Sequence, residues 1–446
     1  MSEPIISVSG LRGIVGETLT PEVALRYVAA FAGTLPAGPI VVGRDGRTTG
    51  LMLAAVVQGG LMAAGRDVLD AGIAATPTLG VLVRTAGAAG GVQISASHNP
   101  PQYNGLKLFS SAGRVIPAVP GRQVLEAYRG GVSNWASHER VGQRETIADT
   151  TGKHLALVLA TVDVAAIRRR RFRVLLDSNA GAGSIMGRRL LDALGCEVTL
   201  LGGEPSGHFE HPAEPTAENL AGVRGQAVAA QADVAFCQDP DADRLAIIDE
   251  MGRYIGEEYT LAVCLDHVLR QRKGAVVTNC ATSRMAQDLA EKYGATFARS
   301  AVGEANVVDE MLAREAVFGG EGNGGPIDPR VGYVRDSFVG MALALAAMAE
   351  RGRKMSELAD ELPRYEIRKT TVALAVDKLP RALDAVERHF ADARADRLDG
   401  LRLDWPDRWL IVRGSNTEPL VRAIAEAPTA AEATRLCEEA AGVMLR

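Results

Sequence analysis

The chain has 446 residues, 47% of them hydrophobic and 23% charged, with 48 glycines and few aromatics; that is too long for one core and predicts three or four domains of ordinary soluble α/β composition. A formal net charge of −5 argues against a nucleic-acid-binding surface, and the one basic run, Arg168 to Arg171, reads as a solvated helix end. No apolar run is long enough to cross a membrane and Met1 to Pro4 lacks the basic start and apolar core of a secretory signal, so the expectation is a cytoplasmic protein with no membrane partner.

In chain order, the periodicity predicts a strand over Pro39 to Val42, a helix over Gly50 to Ala64, a strand over Arg66 to Ala71 and a helix over Thr76 to Ala86. The small apolar stretch Ala88 to Ile94 then reads as a buried strand feeding a loop, Ser95-Ala96-Ser97-His98-Asn99-Pro100-Pro101. Its two prolines forbid a helix and press their predecessors into extended geometry, so the loop is stiff and displays the Ser97 hydroxyl. Extended backbone would turn His98 to the side opposite Ser97, which makes the histidine a loop organiser rather than the base of a hydrolase triad. Alone, the string also suits a polar turn.

A helical connector near Thr151 to Ala165 leads to a second unit with a strand at Phe172 to Leu176, a helix at Ser184 to Leu194 and a strand at Glu197 to Leu201. The turn from Asn179 to Gly187 imitates a dinucleotide fingerprint. Its spacing is GxGxxxG, and no clear acidic residue beyond Glu197 closes a following ribose strand, so it reads as a tight strand-to-helix turn. Next comes Asp239-Pro240-Asp241-Ala242-Asp243-Arg244, between the apolar runs Val234 to Cys237 and Leu245 to Ile248. Three carboxylates at alternate positions can converge on one hard cation. Arg244 stands where an EF-hand loop needs glycine, which rules out calcium sensing and offers a cation to a phosphate. A solvated acidic turn is the plainer reading of the same string.

After Glu250 a third unit begins, with a helix over Glu257 to Arg272, a strand over Ala275 to Asn279 and a helix over Ser283 to Tyr293. Its glycine-rich string, Gly319 to Gly325, carries Glu321 and Asn323 beside Gly324, the acceptor and mixed donor-acceptor that sugar hydroxyls need on backbone able to approach a ligand closely. The last unit changes character: strand Arg368 to Val376, helix Leu379 to Ala393, strands Gly400 to Asp404 and Trp409 to Val412, and a helix capped by Thr429 and running to Met444, a two-layer α+β pattern. Between them, Arg413-Gly414-Ser415-Asn416-Thr417-Glu418-Pro419-Leu420-Val421-Arg422 combines guanidinium forks, hydroxyl and amide donors and, on this reading, the start of a helix, making Arg413, Ser415, Asn416, Thr417 and Arg422 a phosphate cradle. Five cysteines without CxxC spacing read as reduced thiols.

These four strings, in this order, resemble the α-D-phosphohexomutase superfamily, which includes phosphoglucomutase, phosphomannomutase and phosphoglucosamine mutase, over essentially the whole chain. Ser7 to Gly16 is similar to that family's N-terminal strand and substrate loop, and Val42 to Arg47 to its next arginine-bearing turn. The resemblance implies three related α/β domains with mixed sheets and a C-terminal α+β domain around a central cleft, at residues 1–147, 148–250, 251–365 and 366–446. It implies that Ser97 is phosphorylated, that Asp239, Asp241 and Asp243 hold Mg²⁺ with a phosphoserine oxygen of Ser97, and that Arg12, Lys107 and Arg244 work near the transferring phosphate, with His98 beside them. Lys107, as a proton carrier, would need a lowered pKa. The activity implied is interconversion of hexose 1-phosphate and hexose 6-phosphate through a 1,6-bisphosphate, with glucose 1,6-bisphosphate as activator, hexose phosphates as partners, a C-terminal lid, and a monomer or homodimer. Phosphoglucomutase/phosphomannomutase activity leads, and phosphoglucosamine mutase is the alternative. A sugar-phosphate phosphatase would not need the second cradle, and a non-catalytic binder would lack Ser97 or the aspartates. Where many members have Glu-x-Ser-Gly-His, this chain has Glu321-Gly322-Asn323-Gly324-Gly325. It also has Glu304 where several have histidine, a carboxylate that would favour an amino sugar.

Overall fold

The computed structural model describes residues 3–7, 10–131, 135–414 and 420–445, and their strands form four sheets. In the first, Ile40–Arg44 lies inside the sheet, parallel to both Gly90–Ile94 and Val68–Ile73, while Tyr103–Ser110 runs antiparallel to Gly90–Ile94 and in turn pairs with Gly10–Ile14. The core strands are apolar on both faces, as strands covered on both sides must be: Ile40, Val41 and Val42 are fully buried. Tyr103–Ser110 begins within two residues of the Pro-Pro pair, so the serine loop is the short connection of a hairpin. The register Gly10↔Lys107 and Arg12↔Gly105 sets Arg12 and Lys107 on one face of that hairpin's outer ladder.

The second sheet has the order Leu245–Asp249, Val234–Gln238, Arg173–Asp177, Glu197–Leu201, and only its first pair is antiparallel. The aspartate string is therefore the turn of a second hairpin. In the third sheet, Phe318–Glu321 and Gly325–Ile327 are antiparallel neighbours, so the sugar-loop string is the turn of a third. The fourth sheet is wholly antiparallel among the described strands, in the order Glu366–Ala373, Leu420–Ala427, Trp409–Gly414, Leu401–Asp404, Arg394–Asp396, with helices Leu379–His389 and Ala430–Met444 packed on it through one apolar cluster. Thr429 accepts a hydrogen bond from Glu432 N and caps the last helix.

One expectation fails here. Leu420–Ala427 is a strand, not a helix, so the Arg413–Arg422 string does not open a helix at its described C-terminal end. The sequence alternates Val421, Ala423 and Ala425, which are buried, with exposed Arg422, and that period of two belongs to a strand.

The units are welded through shared cores. One cluster joins Val174, Leu176 and Met186 of the second unit with Phe318 and Phe338 of the third. The helix Ser337–Arg351 is at its centre, buried from Ser337 through Met348. A buried chain of hydrogen bonds also crosses three units: Thr78 Oγ1 lies 2.9 Å from His154 Nδ1, and His154 Nε2 lies 2.7 Å from Asp336.

Candidate active site

Ser97 is buried at 3% exposure and holds a left-handed backbone, φ +49°, a conformation that costs a non-glycine residue about 1–3 kcal/mol and persists only where the surroundings over-determine it. They do so here. Arg47, fully buried, donates to the carbonyls of Ser97 (2.6 Å), Asn99 (2.6 Å), Pro100 (2.8 Å) and Tyr103 (2.9 Å). Asp45 holds Arg47 Nε at 3.2 Å and accepts from Ser95 Oγ at 2.7 Å, while Ser95 Oγ accepts from Ser97 N at 2.8 Å. The loop is thus clamped from beneath, and Ser97 Oγ points away from the clamp, donating to Asp239 Oδ2 at 2.6 Å.

Asp239, Asp241 and Asp243 are each fully buried, and one oxygen from each lies within 4.8 Å of the others. Thr76 donates to Asp241 through its hydroxyl (2.6 Å) and its N–H meets the Asp241 carbonyl (2.9 Å), tying the first unit to the loop. Lys107 Nζ bridges Asp241 (2.9 Å) and Asp243 (2.8 Å), and Arg335 reaches Asp243 at 2.7 Å. Two oxygens, Asp241 Oδ1 and Asp243 Oδ1, are buried and have no hydrogen-bond partner. Orphaned acceptors on converging carboxylates are the donor set of a hard divalent cation, so these residues are able to hold a metal ion. The electrostatics agree. Burial, with Asp241 and Asp243 close by, pushes Asp239 well above the ordinary carboxylate range. Burial would raise Asp241 and Asp243 too, but Lys107, with the Thr76 hydroxyl, holds Asp241 low, and Arg335, with Lys107, holds Asp243 low. Three such groups cannot all be charged in one buried space without added positive charge.

Glu321, 4% exposed, accepts from Asn279 Nδ2 (2.8 Å), Gly303 N (3.1 Å) and Arg335 Nη1 (2.8 Å). Asn323 faces the same space with its Oδ1 buried and unpartnered. These groups line a cleft of about 1100 Å³ that takes in Ser97, Lys107, Arg244, Glu321 and, from the fourth unit, Lys369 and Arg422. Its size suits a phosphorylated sugar.

Comparison with known proteins decides the family. Sequence models of phosphoglucomutase/phosphomannomutase match end to end: alpha/beta/alpha domain I over residues 5–131, domain II over 153–252, domain III over 257–365 and the C-terminal domain over 372–443. The chain belongs to the phosphoglucomutase/phosphomannomutase family. It is 37% identical over 440 residues to a phosphoglucomutase/phosphomannomutase of Thermococcus kodakarensis, covering 96% of each chain. It is 35% identical to a probable phosphoglucosamine mutase of Methanopyrus kandleri, covering 98% of this chain and 97% of the relative. Among solved structures, a putative phosphomannomutase from Thermus thermophilus superposes with a TM-score of 0.86 at 26% identity and full coverage of both chains.

Within this phosphohexomutase fold, several residues sit otherwise than their spacing implied. His98 is on the same side as Ser97, its Nδ1 3.3 Å from Oγ, because the left-handed φ at Ser97 replaces the extended geometry that would have separated them. Burial and the neighbouring Arg244 and Arg12 lower its pKa to about 2, so the ring is neutral and a weak base. Lys107 is not lowered: burial acts in that direction, but Asp241 and Asp243 outweigh it and raise it above an ordinary lysine. Glu304 has both oxygens on Arg335, accepting from its N–H (3.1 Å) and Nε (3.2 Å), and so is committed to that arginine. Gly324 packs against the second hairpin, where a Cβ would lie 2.2 Å from the Leu245 carbonyl oxygen. Arg413 is ion-paired to Asp399 at 3.0 Å, whereas exposed Arg422 lines the cleft. Ser415, Asn416 and Thr417 lie outside the described residues. Arg12 donates to the Asn99 side chain, and Arg244 N donates to Asp239 Oδ1 at 3.1 Å while its Nε is buried without a partner.

The dinucleotide lookalike has a structural reason for its glycines. A Cβ on Gly181 would meet the Pro240 carbonyl oxygen at 2.5 Å and one on Gly183 the Gln238 side chain at 2.2 Å, so the turn makes room for the aspartate hairpin. Arg47 and Arg335 are the best-connected of the residues whose roles the spacing did not reveal, among them Asp45, Thr76, Ser95 and Asn279. The Val42–Arg47 string had marked the neighbourhood of Arg47; no signal in the sequence pointed to Arg335.

Proposed function

We propose that the protein moves a phosphoryl group between the 1- and 6-hydroxyls of a hexose phosphate by way of phosphorylated Ser97, with glucose and mannose phosphates as substrates. The observation that carries this reading is the 2.6 Å hydrogen bond from Ser97 Oγ into the buried aspartate cluster, in a cleft whose mixed lining brings Arg12, Lys107 and Arg244 together with Ser97. In the first half-reaction the bond from phosphorus to Ser97 Oγ breaks as the free sugar hydroxyl bonds to phosphorus, and the hydroxyl's proton ends on Ser97 Oγ; the product is a hexose 1,6-bisphosphate, and the return step runs the same exchange in reverse. After the bisphosphate turns over, its other phosphoryl group passes back to Ser97 and a hexose monophosphate leaves. Phosphoryl transfer asks chiefly for in-line positioning and for neutralisation of the phosphoryl oxygens.

Arg47 and Ser95 fix the attacking and leaving oxygen in place. Lys107, held as an ammonium, and Arg244, whose Nε has no partner, supply donors to the phosphoryl group. Asp239, Asp241 and Asp243 would hold Mg²⁺, which when bound supplies positive charge to the phosphoryl oxygens. Glu321 and Asn323 take the sugar hydroxyls. Arg422, with the loop Ser415 to Thr417, takes the phosphate that does not react, and the fourth unit closes over the cleft.

The test is to phosphorylate the enzyme with glucose 1,6-bisphosphate, locate the phosphate by mass spectrometry of peptides, and measure kcat/KM with Mg²⁺ on glucose 1-phosphate, mannose 1-phosphate and glucosamine 1-phosphate. Phosphate on Ser97 and comparable values for glucose and mannose support the proposal. A clear glucosamine preference replaces its substrate with that of the second reading, which the name of the Methanopyrus kandleri relative favours.

A further inference from the structure

Arg335 sits at the centre of a three-carboxylate arrangement that the phosphoryl transfer itself does not explain. It is 8% exposed. Its three guanidinium nitrogens go to three separate segments, the aspartate turn, the end of the strand Phe318–Glu321 and the start of the helix Glu304–Ala313: Nη2 to Asp243 Oδ2 at 2.7 Å, Nη1 to Glu321 Oε2 at 2.8 Å, and Nε to Glu304 Oε2 at 3.2 Å. Among the described residues it is the one that hydrogen-bonds both a carboxylate of the aspartate cluster and the carboxylate of the sugar loop.

Its own position is rigid. The Arg335 N–H donates to Glu304 Oε1, and the next residue, Asp336, caps the buried helix Ser337–Arg351 by accepting from Phe338 N and Val339 N. The aliphatic stem lies across Gly325, where a Cβ would come within 2.4 Å of Arg335 Cδ. A planar fork on a fixed backbone cannot follow one carboxylate without shifting its grip on the others.

We infer that Arg335 couples the aspartate cluster to the sugar loop, so that a divalent cation and a hexose phosphate each bind more tightly in the presence of the other. Asp243 presents Oδ2 to Arg335 and leaves Oδ1 unpartnered. A cation drawn to Oδ1 fixes the plane of that carboxylate, which fixes the guanidinium, which sets Glu321 Oε2 for the sugar hydroxyls. The path works equally in reverse, as coupling between two binding sites must. Arg335 is on this account a positioning residue. The inference rests on the assignment of the aspartates to Mg²⁺ and of Glu321 to the sugar.

The test is calorimetric titration of Mg²⁺ into the unphosphorylated protein with and without saturating glucose 1-phosphate, and of glucose 1-phosphate with and without Mg²⁺. Wild type is expected to show tightening of about fivefold or more, the lower end of the usual coupling range, and by the same factor in both directions. Arg335→Met should bring the factor to within about twofold of unity, and Arg335→Lys, whose single ammonium cannot span three carboxylates, should fall between. Because the readout is a ratio, a uniform loss of affinity does not imitate it. A urea unfolding curve checks that each variant folds, and if Arg335→Met does not, Glu304→Gln frees the anchor of the guanidinium and should shrink the same ratio. A wild-type factor near one, or one unchanged in the variants, overturns the inference while mutase turnover continues. A wild type that neither binds glucose 1-phosphate nor isomerises it overturns the underlying functional reading as well.

Discussion

Replacing Arg47 with Met should disable the serine loop while leaving the sheet beneath it intact. The side chain is fully buried and donates to four loop carbonyls and to Asp45. Methionine fills the volume and satisfies none of them. Two of the acceptors, the Ser97 carbonyl and the Asp45 carboxylate, lie in buried hydrogen bonds; at about 1–3 kcal/mol for each stranded group, the cost is about 2–6 kcal/mol. The remaining three carbonyls are in part-buried bonds and can turn to water at small cost. Urea unfolding measures the loss. The more telling assay is kinetic: without the clamp nothing enforces the left-handed φ at Ser97, so kcat should fall far more than KM rises. Arg47→Lys, with three donors on one nitrogen, should recover part of both. Stability within about 0.5 kcal/mol of wild type together with unchanged kcat would refute the clamp.

Ser97→Ala should lose turnover by on the order of 10³-fold or more, as expected when the group that forms the covalent intermediate is removed, and near-wild-type turnover would end the phosphoserine reading. Exhaustive chelation should abolish activity and Mg²⁺ restore it; at 100 times its dissociation constant the ion should also raise unfolding stability by about 2.7 kcal/mol, and a melting temperature indifferent to Mg²⁺ would count against the aspartates as its ligands. Burial raises Glu257 to about 7 and Glu258 to about 8. The folded state then keeps protons that the unfolded chain has released, so stability is full below the ordinary glutamate range and is lost as pH climbs through 7 and 8, at up to about 1.4 kcal/mol per pH unit for each group. Melting curves across that range should flatten for Glu258→Gln. Gly324→Ala forces a Cβ against the Leu245 carbonyl oxygen at φ +79°; backbone strain alone costs about 1–3 kcal/mol, and an unshifted urea midpoint would contradict the packing described.

The strands and helices with plain periodicity were legible, and Glu197–Leu201 falls where its pattern puts it. The failures have causes. Tyr103–Ser110 was hidden because its residues read as the tail of a loop motif, although Leu106 and Leu108 alternate as a strand requires. Ser337–Arg351 is apolar nearly all round and shows no stripe, since a helix buried on every side has no polar face to give it a period. At the site, alternation of Asp239, Asp241 and Asp243 was visible because one turn carries all three. The Arg335 network was not, because it brings together residues from positions 243, 304, 321 and 335, and nothing local marks an arginine as the meeting point of three distant segments. His98 failed for a different reason: side-chain direction was argued from extended geometry, and a single positive φ reverses it.

The packing also says which part of the molecule is free to respond to substrate. The first three units are held by buried ties that converge on the aspartate hairpin: Thr76 to Asp241, Arg335 to Asp243 and, behind them, Thr78 to His154 to Asp336. Moving any of these units would strand buried polar groups. The fourth rests on the third through a small apolar cluster of Cys280, Trp409, Ile411 and Ile424, with Arg402 donating to the Cys280 carbonyl and Glu426 accepting from Arg284 N at 3.0 Å. Such an interface is weaker than a shared core, and relative motion is the default across contacts of that kind. Arg422 is carried by this unit and lines the cleft, so on the function proposed above closure would bring this cation towards the substrate without disturbing Ser97 or the aspartates. A mutase must keep its bisphosphate while that intermediate reverses, and the proposed roles of Arg422 on the fourth unit and of Ser97 with the aspartates on the tied first three would meet both demands.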